Sequence, residues 1–267
     1  MYMRRLRTLS DEHLSGTKLE DLYDSIAAPY LAEAELDHSI WGGYTIAQKR
    51  DRVVSGLNDR RSIFNANMGA DGSGLIPPAA SGDTPVRINE INYDPTDGGD
   101  FEFIELVNTS TTESIDLSGW TMADGVSMTL PAGTVMLPSS HALLVASDTD
   151  FRTSYGATHY AIGEYDGGLN NAGETITLST STGTVVDSLT WSNTAPWPTE
   201  PAGTGPSLSR LDAAAATNDS ANWGASSATG GPQVSLTMEE HRHHRRRHHH
   251  HRSGRPAQSF VTAPTSP

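Results

Sequence analysis

The sequence predicts a mainly β protein in which one antiparallel sandwich or small barrel follows a helical segment and precedes a disordered tail. Near residue 86 the apolar periodicity changes from the helical spacing of three and four residues to that of short strands. From there to about residue 226, strand-like runs recur between turns rich in Gly, Asp and Asn. Residues 230–267 hold no apolar pattern that could form a core.

Residues 1–68 form the predicted helical segment. Apolar residues recur at spacings of three and four in its second helix, at Leu19, Leu22, Tyr23 and Ile26. The next helix should end at the Gly42-Gly43 pair, and another should run from about Thr45 to Ala66. Helices this short bury little apolar surface by themselves, so we expect each to need a partner surface.

Residues 69–85 read GADGSGLIPPAASGDTP, a composition dense in Gly, Pro, Ser and Ala. Such a stretch is typical of a flexible linker, and it marks the predicted domain boundary.

The predicted strands lie within residues 86–229, which we assign to one domain. The clearest runs are FEFIELVN, HALLVAS, ETITLST and TVVDSLTWS. They are rich in β-branched and aromatic residues, as strands are. One short helix is predicted from Thr149 to Tyr155, with Asp148 as its N-cap and a glycine at its end.

The charges exclude one class of function. Residues 83–229 contain 19 acidic and 3 basic side chains, a net charge of −16. Because nonspecific nucleic-acid binding depends on Lys and Arg, we expect no such binding by this domain. Cations are the ligands that its charge favours. The chain has no cysteine, hence no disulfide and no thiolate zinc site. It also has no apolar window long enough to span a membrane.

The tail contains a His/Arg tract at residues 241–252, HRHHRRRHHHHR. Its imidazoles suit Ni²⁺ or Zn²⁺ and its guanidinium groups suit nucleic acid, but no scaffold fixes their geometry. The abrupt change of composition also fits a reading-frame shift in the gene, with a genuine basic tail as the rival explanation.

The strand region resembles the lamin tail domain. The matching pieces are INEINYDP, FIELVN, IDLSGWTMADG, LPAGTVMLPSSHALLVAS, GGLNNAGETITL, GTVVDSLTW, PWP, SLSRLD and NWGAS, in that order. The resemblance implies an immunoglobulin-like antiparallel β-sandwich. It also implies a non-catalytic binding or attachment module of an exported or envelope-associated bacterial protein, with an unknown protein or polysaccharide as ligand.

Residues 1–68 resemble the end of a CotH-type kinase-like domain, through MRRLRTLSDEHL, AEAELDHSIWG and RRSIF. No GxxxxGK[ST] loop or HRD-type loop accompanies them, so we expect no catalytic residue in this chain. Two alternatives remain open: a truncated piece of a CotH-type protein whose catalytic core lies upstream, and a purely structural spacer. The resemblance places the protein outside the cell or in its envelope. The start lacks a signal peptide, which predicts the cytoplasm if the chain is complete.

An acidic loop is the candidate metal site. Asp94, Asp97, Asp100 and Glu102 lie close together in NYDPTDGGDFE and could bind Ca²⁺ through carboxylate oxygens. The other interpretation is ordinary hairpin turn chemistry, which we favour because the spacing does not fit an EF-hand. We therefore expect no cofactor, with Ca²⁺ as the one exception to test.

Two further groups of residues are candidates for a catalytic or binding site. Glu90 and Glu105 fall in adjacent predicted strands, where we expect carboxylates on a solvated sheet face and not a catalytic pair. Among the tryptophans, Trp120 and Trp191 should lie in the core. Trp197, between two prolines, is either a contact surface or a loop residue packed as a plug.

Overall fold

The computed structural model describes residues 1–67, 76–156, 159 and 161–227. Part of the predicted linker, residues 69–75, and the predicted tail, residues 230–267 with the His/Arg tract, lie outside these described residues. The described part is mainly β, with helices before it, as the sequence predicts.

The helical segment contains four helices. They are α1 (Tyr2–Leu9), α2 (Lys18–Ala27), α3 (Leu31–Trp41) and α4 (Ile46–Asn67). A short π-helical turn, Ser10–Leu14, follows α1, and a 3-10 turn, Ala28–Tyr30, follows α2. Gly42 ends α3 with a φ of 72°, a left-handed conformation that favours glycine and confirms the predicted stop.

Ion pairs hold these helices together. Arg61 of α4 donates to both carboxylate oxygens of Glu20 on α2, at 2.6 and 2.8 Å, and its Nε donates to the Leu14 carbonyl. Arg50 of α4 makes a similar two-bond contact with Asp24. The segment thus relies on charged contacts where a larger domain would rely on an apolar core.

Thirteen strands follow in the described residues. In chain order they are β1 (Val86–Asn92), β2 (Phe103–Asn108), β3 (Ile115–Asp116), β4 (Thr121–Asp124), β5 (Val126–Thr129), β6 (Val135–Met136), β7 (His141–Val145), β8 (Ala161–Glu164), β9 (Asp166–Gly167), β10 (Thr175–Ser179), β11 (Val185–Thr190), β12 (Leu208–Arg210) and β13 (Trp223–Ala225). They form a six-stranded sheet in the order β13-β12-β1-β2-β7-β8, a five-stranded sheet in the order β11-β10-β4-β5-β9, and the small pair β3-β6.

Alternate side chains of the two large sheets build the core. Val86, Ile88 and Ile91 of β1, and Tyr93 directly after it, are buried in the main cluster, and a bulge between Ile88 and Glu90 restores the alternation. Ile176 and Leu178 of β10 enter the same cluster from the other sheet. The predicted sandwich is therefore confirmed.

One connection departs from an antiparallel arrangement. β8 pairs with β7 in parallel, and the helix α5 (Asp148–Tyr155) makes the crossover between them. Phe151 of α5 packs edge-on against Phe103 of β2, so the helix covers part of the outer face of the six-stranded sheet. The helix was predicted, but its cap was misplaced by one residue. Ser147 is the N-cap, because its extended backbone lets its side chain accept from the Asp150 N–H.

A buried ion pair joins three strands. The Arg210 guanidinium of β12 donates to Asp187 Oδ2 of β11 at 3.0 Å and to the Ile88 carbonyl of β1 at 3.2 Å. Asp187 Oδ2 also accepts from the Ile88 N–H at 2.9 Å, and Thr217 donates to its other oxygen. These contacts tie the six-stranded sheet to the edge of the five-stranded one.

Helix α1 docks on the sandwich through arginines. Arg4 and Arg7 donate to the carbonyls of Pro78 and Pro77, and Arg5 contacts Asp116 of β3 at 3.2 Å. Hydrogen bonds from Ser118 and Arg5 lower the pKa of Asp116, although burial, the largest single effect, opposes them. The helical segment thus attaches to one end of the sandwich.

Candidate binding site at the loop end

The strand directions bring several loops together at the opposite end of the sandwich. β1 ends and β2 begins at the loop of residues 93–102, and antiparallel pairing places the start of β12 beside the end of β1. In the other sheet, Asp124 at the end of β4 pairs with Ile176 near the start of β10. The loops 93–102, 164–174 and 191–207 and the turn at residue 125 therefore lie at one end. In immunoglobulin-like sandwiches the end loops are the usual binding surface.

Three carboxylates hold the loop of residues 168–174 in place. The Leu169 N–H donates to Glu102 Oε2 at 2.8 Å, and the Asn170 N–H donates to Glu174 Oε1 at 2.6 Å. The Asn171 side-chain amide donates to Asp94 Oδ1 at 2.5 Å. Three consecutive loop residues are thus fixed by hydrogen bonds to acidic side chains, so the loop is built as a rigid part of this end.

Glu102 is the buried member of this group. It is 4% exposed, and Tyr165 Oη donates to the same oxygen as Leu169 does. Burial raises the pKa of Glu102 to about 7, the two hydrogen bonds counteract this, and the nearby Glu174 and Asp94 add to it. The pKa of Tyr165 is raised as well, by burial first and by Glu102 second.

The four acids of the predicted Ca²⁺ site are not gathered around one point. Glu102 is turned into the interior, and Asp97 accepts a hydrogen bond from Ser154 of α5 at 3.1 Å. Asp100 is exposed in the 3-10 turn of residues 99–101. Within residues 1–67, 76–156, 159 and 161–227, no three His, Asp or Glu side chains are grouped so as to hold a metal ion. Ca²⁺ binding stays a prediction.

Trp197 is half-buried and packs against the main core. Its ring centroid lies 6.3 Å from that of the buried Trp223, with the planes tilted by 46°. Part of the indole therefore serves the core, and the exposed remainder lies among the loops of residues 191–207. Its use as a contact surface stays a prediction.

The expectation for Glu90 and Glu105 is wrong in one respect. Both side chains are fully buried and face each other in register across β1 and β2. Ser207 donates to Glu90, Asn89 donates to Glu105 at 2.8 Å, and His141 lies 3.8 Å from Glu105. The alternation rule placed them correctly on the outer face of the sheet, but that face is not solvated at this point.

The sequence predicted the core tryptophans correctly. It did not predict the residues of the loop 168–174 that take part in the hydrogen bonds with the three carboxylates. Trp120 and Trp191 are buried, as predicted. Glu174, Asn170 and Asn171 were overlooked, although GGLNNAGE joins two amides and an acid in one turn, a composition that supplies local hydrogen bonds. What the sequence does not show is that Asp94 and Glu102, some seventy positions earlier, meet this turn.

The fold and this end define an immunoglobulin-like β-sandwich module whose loop-end acids act as hydrogen-bond acceptors for neighbouring loops. Among models of protein families, that of the Lamin Tail Domain matches residues 79–193. Residues 79–193 are therefore similar to a lamin tail domain, a family of immunoglobulin-like, non-enzymatic domains. A search of curated proteins finds no match.

The matched residues stop short of the sandwich as the structure has it. They begin before β1 and end just after β11, whereas β12 and β13 belong to the six-stranded sheet. Across the part of the chain that the structure describes, no helix is both long and apolar enough to cross a bilayer.

Proposed function

We propose that the sandwich is a non-catalytic recognition or attachment module that binds its ligand at the acidic loop end. The observation that carries the proposal is the clamp of three carboxylates on residues 169–171, beside acids that stay exposed. A loop held rigidly by the scaffold loses little entropy on binding, which favours recognition at that place. Helix α1 docks at the opposite end, and Asp97 and Asp100 of these loops are exposed.

The charge of this end indicates the chemistry of the ligand. Exposed carboxylates at this end belong to Asp97, Asp100, Asp124 and Asp166. They favour a protein or polysaccharide that presents cationic groups or hydroxyl donors, and they disfavour nucleic acid. The exposed part of Trp197 adds an aromatic surface near the same loops.

The biological setting is the second part of the proposal. We place the module in an exported or envelope-associated bacterial protein, supported by the resemblance of residues 1–68 to the end of a CotH-type kinase-like domain. In that setting the sandwich attaches its parent protein to a surface, while any catalysis belongs to other parts of that protein.

Binding by the full-length chain tests the proposal. Retention on immobilised bacterial cell-surface polysaccharide and on extracellular protein should be measured at 50 mM and 500 mM NaCl. We expect retention at low salt, with at least tenfold weaker binding for Asp97→Asn/Asp100→Asn. The matched control, Asp51→Asn/Asp83→Asn, removes two exposed charges away from the loop end and should bind as the wild type does.

Equal binding by the two double variants would place the ligand elsewhere on the molecule. A chain that binds none of these surfaces at either salt concentration would favour the structural spacer.

A further inference from the structure

Helix α3 is formed but hardly covered. None of its residues, 31–41, is buried, and Leu36, Ile40 and Trp41 are 62%, 61% and 80% exposed. An isolated helix of this length is marginal in water, since most helix stability in proteins comes from packing an apolar face. Its stability therefore requires a surface that packs against it.

The exposed face of α3 is apolar with acidic neighbours. Leu36 and Ile40 are four positions apart and thus lie on one face, with Trp41 beside them at the end of the helix. Glu33 and Asp37 are also four positions apart, and they lie three positions before Leu36 and Ile40, one turn away along the same side of the helix. With Glu35, the helix has three acids and no Lys or Arg.

Helix α4 has an exposed face that complements the face of α3, because it combines apolar with basic side chains. Lys49, Val53, Gly56, Arg60 and Ile63 follow one another at spacings of four, three, four and three, which places them on one side of the helix. Val53 and Ile63 are exposed apolar side chains. Gly56 makes the middle of this face flat, because the nearest atom to the position of a Cβ is Arg60 Nη1 at 3.8 Å. In all, α4 has five basic and two acidic residues.

We propose that this helical layer is the interface of a twofold symmetric homodimer, in which α3 of each copy packs against α4 of the other. A twofold axis creates two equivalent contacts, in each of which the acidic α3 of one copy meets the basic α4 of the other. The dimer therefore leaves neither of these faces free to bind a third copy. Apolar side chains then fill the centre of each contact and charges flank it, as in other protein interfaces.

The two faces supply most of the apolar area that such a dimer needs. The large exposed apolar side chains on them are Leu36, Ile40 and Trp41 of α3 and Val53 and Ile63 of α4, which are between 43% and 80% exposed. Together they expose on the order of 600 Å² in each copy, before the flanking charged side chains are added, compared with the roughly 800 Å² per partner that a stable interface buries. An exposed apolar patch of this size is large for a monomer.

A charge-swap experiment on the full-length chain tests both the dimer and its geometry. Sedimentation velocity from 1 to 100 µM should show a dimer for the wild type. Glu33→Lys/Asp37→Lys places like charges at both contacts, as does Lys49→Glu/Arg60→Glu, so each variant alone should dimerise at least tenfold more weakly. An equimolar mixture restores opposite charges at both contacts, and we expect a heterodimer within about threefold of the wild-type affinity.

Leu211→Gln serves as the control, because it removes an exposed apolar side chain of the sandwich and should leave dimerisation unchanged. Restoration in the mixture also shows that both swapped chains are folded. A wild type that stays monomeric at 100 µM overturns the proposal. So do swapped variants that dimerise normally, or a mixture that restores nothing.

Discussion

Glu102 is a residue whose chemistry follows from its surroundings in the fold. In the sequence it is one acid among four in a loop, but in the structure it is enclosed and accepts hydrogen bonds from Leu169 and Tyr165. Its carboxyl group therefore titrates far above the range of an exposed glutamate.

The pH dependence of stability follows from this pKa. Below about pH 4.5 the carboxyl group is protonated in both the folded and the unfolded chain. Between pH 4.5 and about 7 the unfolded chain releases this proton and the folded chain keeps it, so the free energy of unfolding falls as pH rises. At about 1.4 kcal/mol per pH unit, Glu102 lowers stability by about 3 kcal/mol above pH 7.

Glu102→Gln removes this titration. We expect urea unfolding to show that the free energy of unfolding of the variant, relative to that of the wild type, increases as pH rises from 5 to 8. Comparing the two proteins at each pH cancels the contributions of other groups, such as His141. Stability curves that run parallel over this range would contradict the prediction.

Tyr93→Phe tests a hydroxyl group that is buried without a hydrogen-bond partner among the described residues. Burial and the nearby Asp94 raise the pKa of Tyr93 to about 12, so the group stays neutral. Because no hydrogen bond is lost, we expect the free energy of unfolding to change by less than about 0.5 kcal/mol or to rise. A loss of more than about 1 kcal/mol in urea unfolding would indicate a bridging water.

Arg210→Met tests the buried ion pair. The substitution leaves the Asp187 carboxylate buried without its cation, which typically costs about 3–5 kcal/mol of unfolding free energy. Arg50→Met is the matched control, because the Arg50–Asp24 pair is largely exposed and its loss should cost much less. Equal losses for the two variants in urea unfolding would contradict the prediction.

Single residues were predictable where one rule decided their position. The large apolar surface of Trp120 and Trp191 predicted burial, and both are buried. For Glu90 and Glu105 the alternation along a strand predicted the face, but what covers that face depends on distant parts of the chain. Sequence patterns report local periodicity and not the tertiary contacts that enclose a polar side chain.

At the scale of elements, periodicity predicted the helices and, most clearly, the strands β2, β7, β10 and β11. The stop at Gly42 and the existence of α5 followed from local backbone preferences. The parallel pairing of β7 with β8 could not be predicted in this way, because the direction of pairing does not alter the residue pattern of either strand. The docking of α1 was likewise unpredicted, since its partners are backbone carbonyls of Pro77 and Pro78.

Arg4→Met/Arg7→Met should release α1 from the sandwich. Both guanidinium groups donate to proline carbonyls, and their loss leaves those carbonyls without these donors. We expect amide hydrogen exchange over residues 2–9 to become at least tenfold faster while exchange in β1 and β2 stays unchanged. Arg60→Met is the control, because Arg60 donates only within its own helix among the described contacts. Unchanged exchange in α1 would mean that other contacts hold it.

At the scale of the whole molecule, the charge distribution was readable from the sequence, and its arrangement was not. The excess of acids predicted an electronegative sandwich. Only the fold shows that loops from residues 94, 102 and 174 meet at one end, away from α1. The proposed function depends on that arrangement and not on the total charge.

Calcium titration tests whether the acidic end also binds a cation. Because no three acids are grouped so as to hold a metal among the described residues and Glu102 holds a buried loop contact, we expect the same thermal midpoint in 5 mM CaCl₂ as in chelator, within about 1 °C. A specific site would raise the midpoint, since binding to the folded state alone stabilises it. An increase that Asp97→Asn/Asp100→Asn abolishes would establish the site.

The pairing of β1 with β12 affects how the protein is synthesised. Glu90 pairs with Ser209, 119 positions later, so one edge of β1 stays open until β12 has left the ribosome. At about 5–20 residues per second this wait lasts about 6–24 seconds. An open strand edge is a template for aggregation during that time. A chain that ended at residue 193, where the family match ends, would keep this edge open permanently.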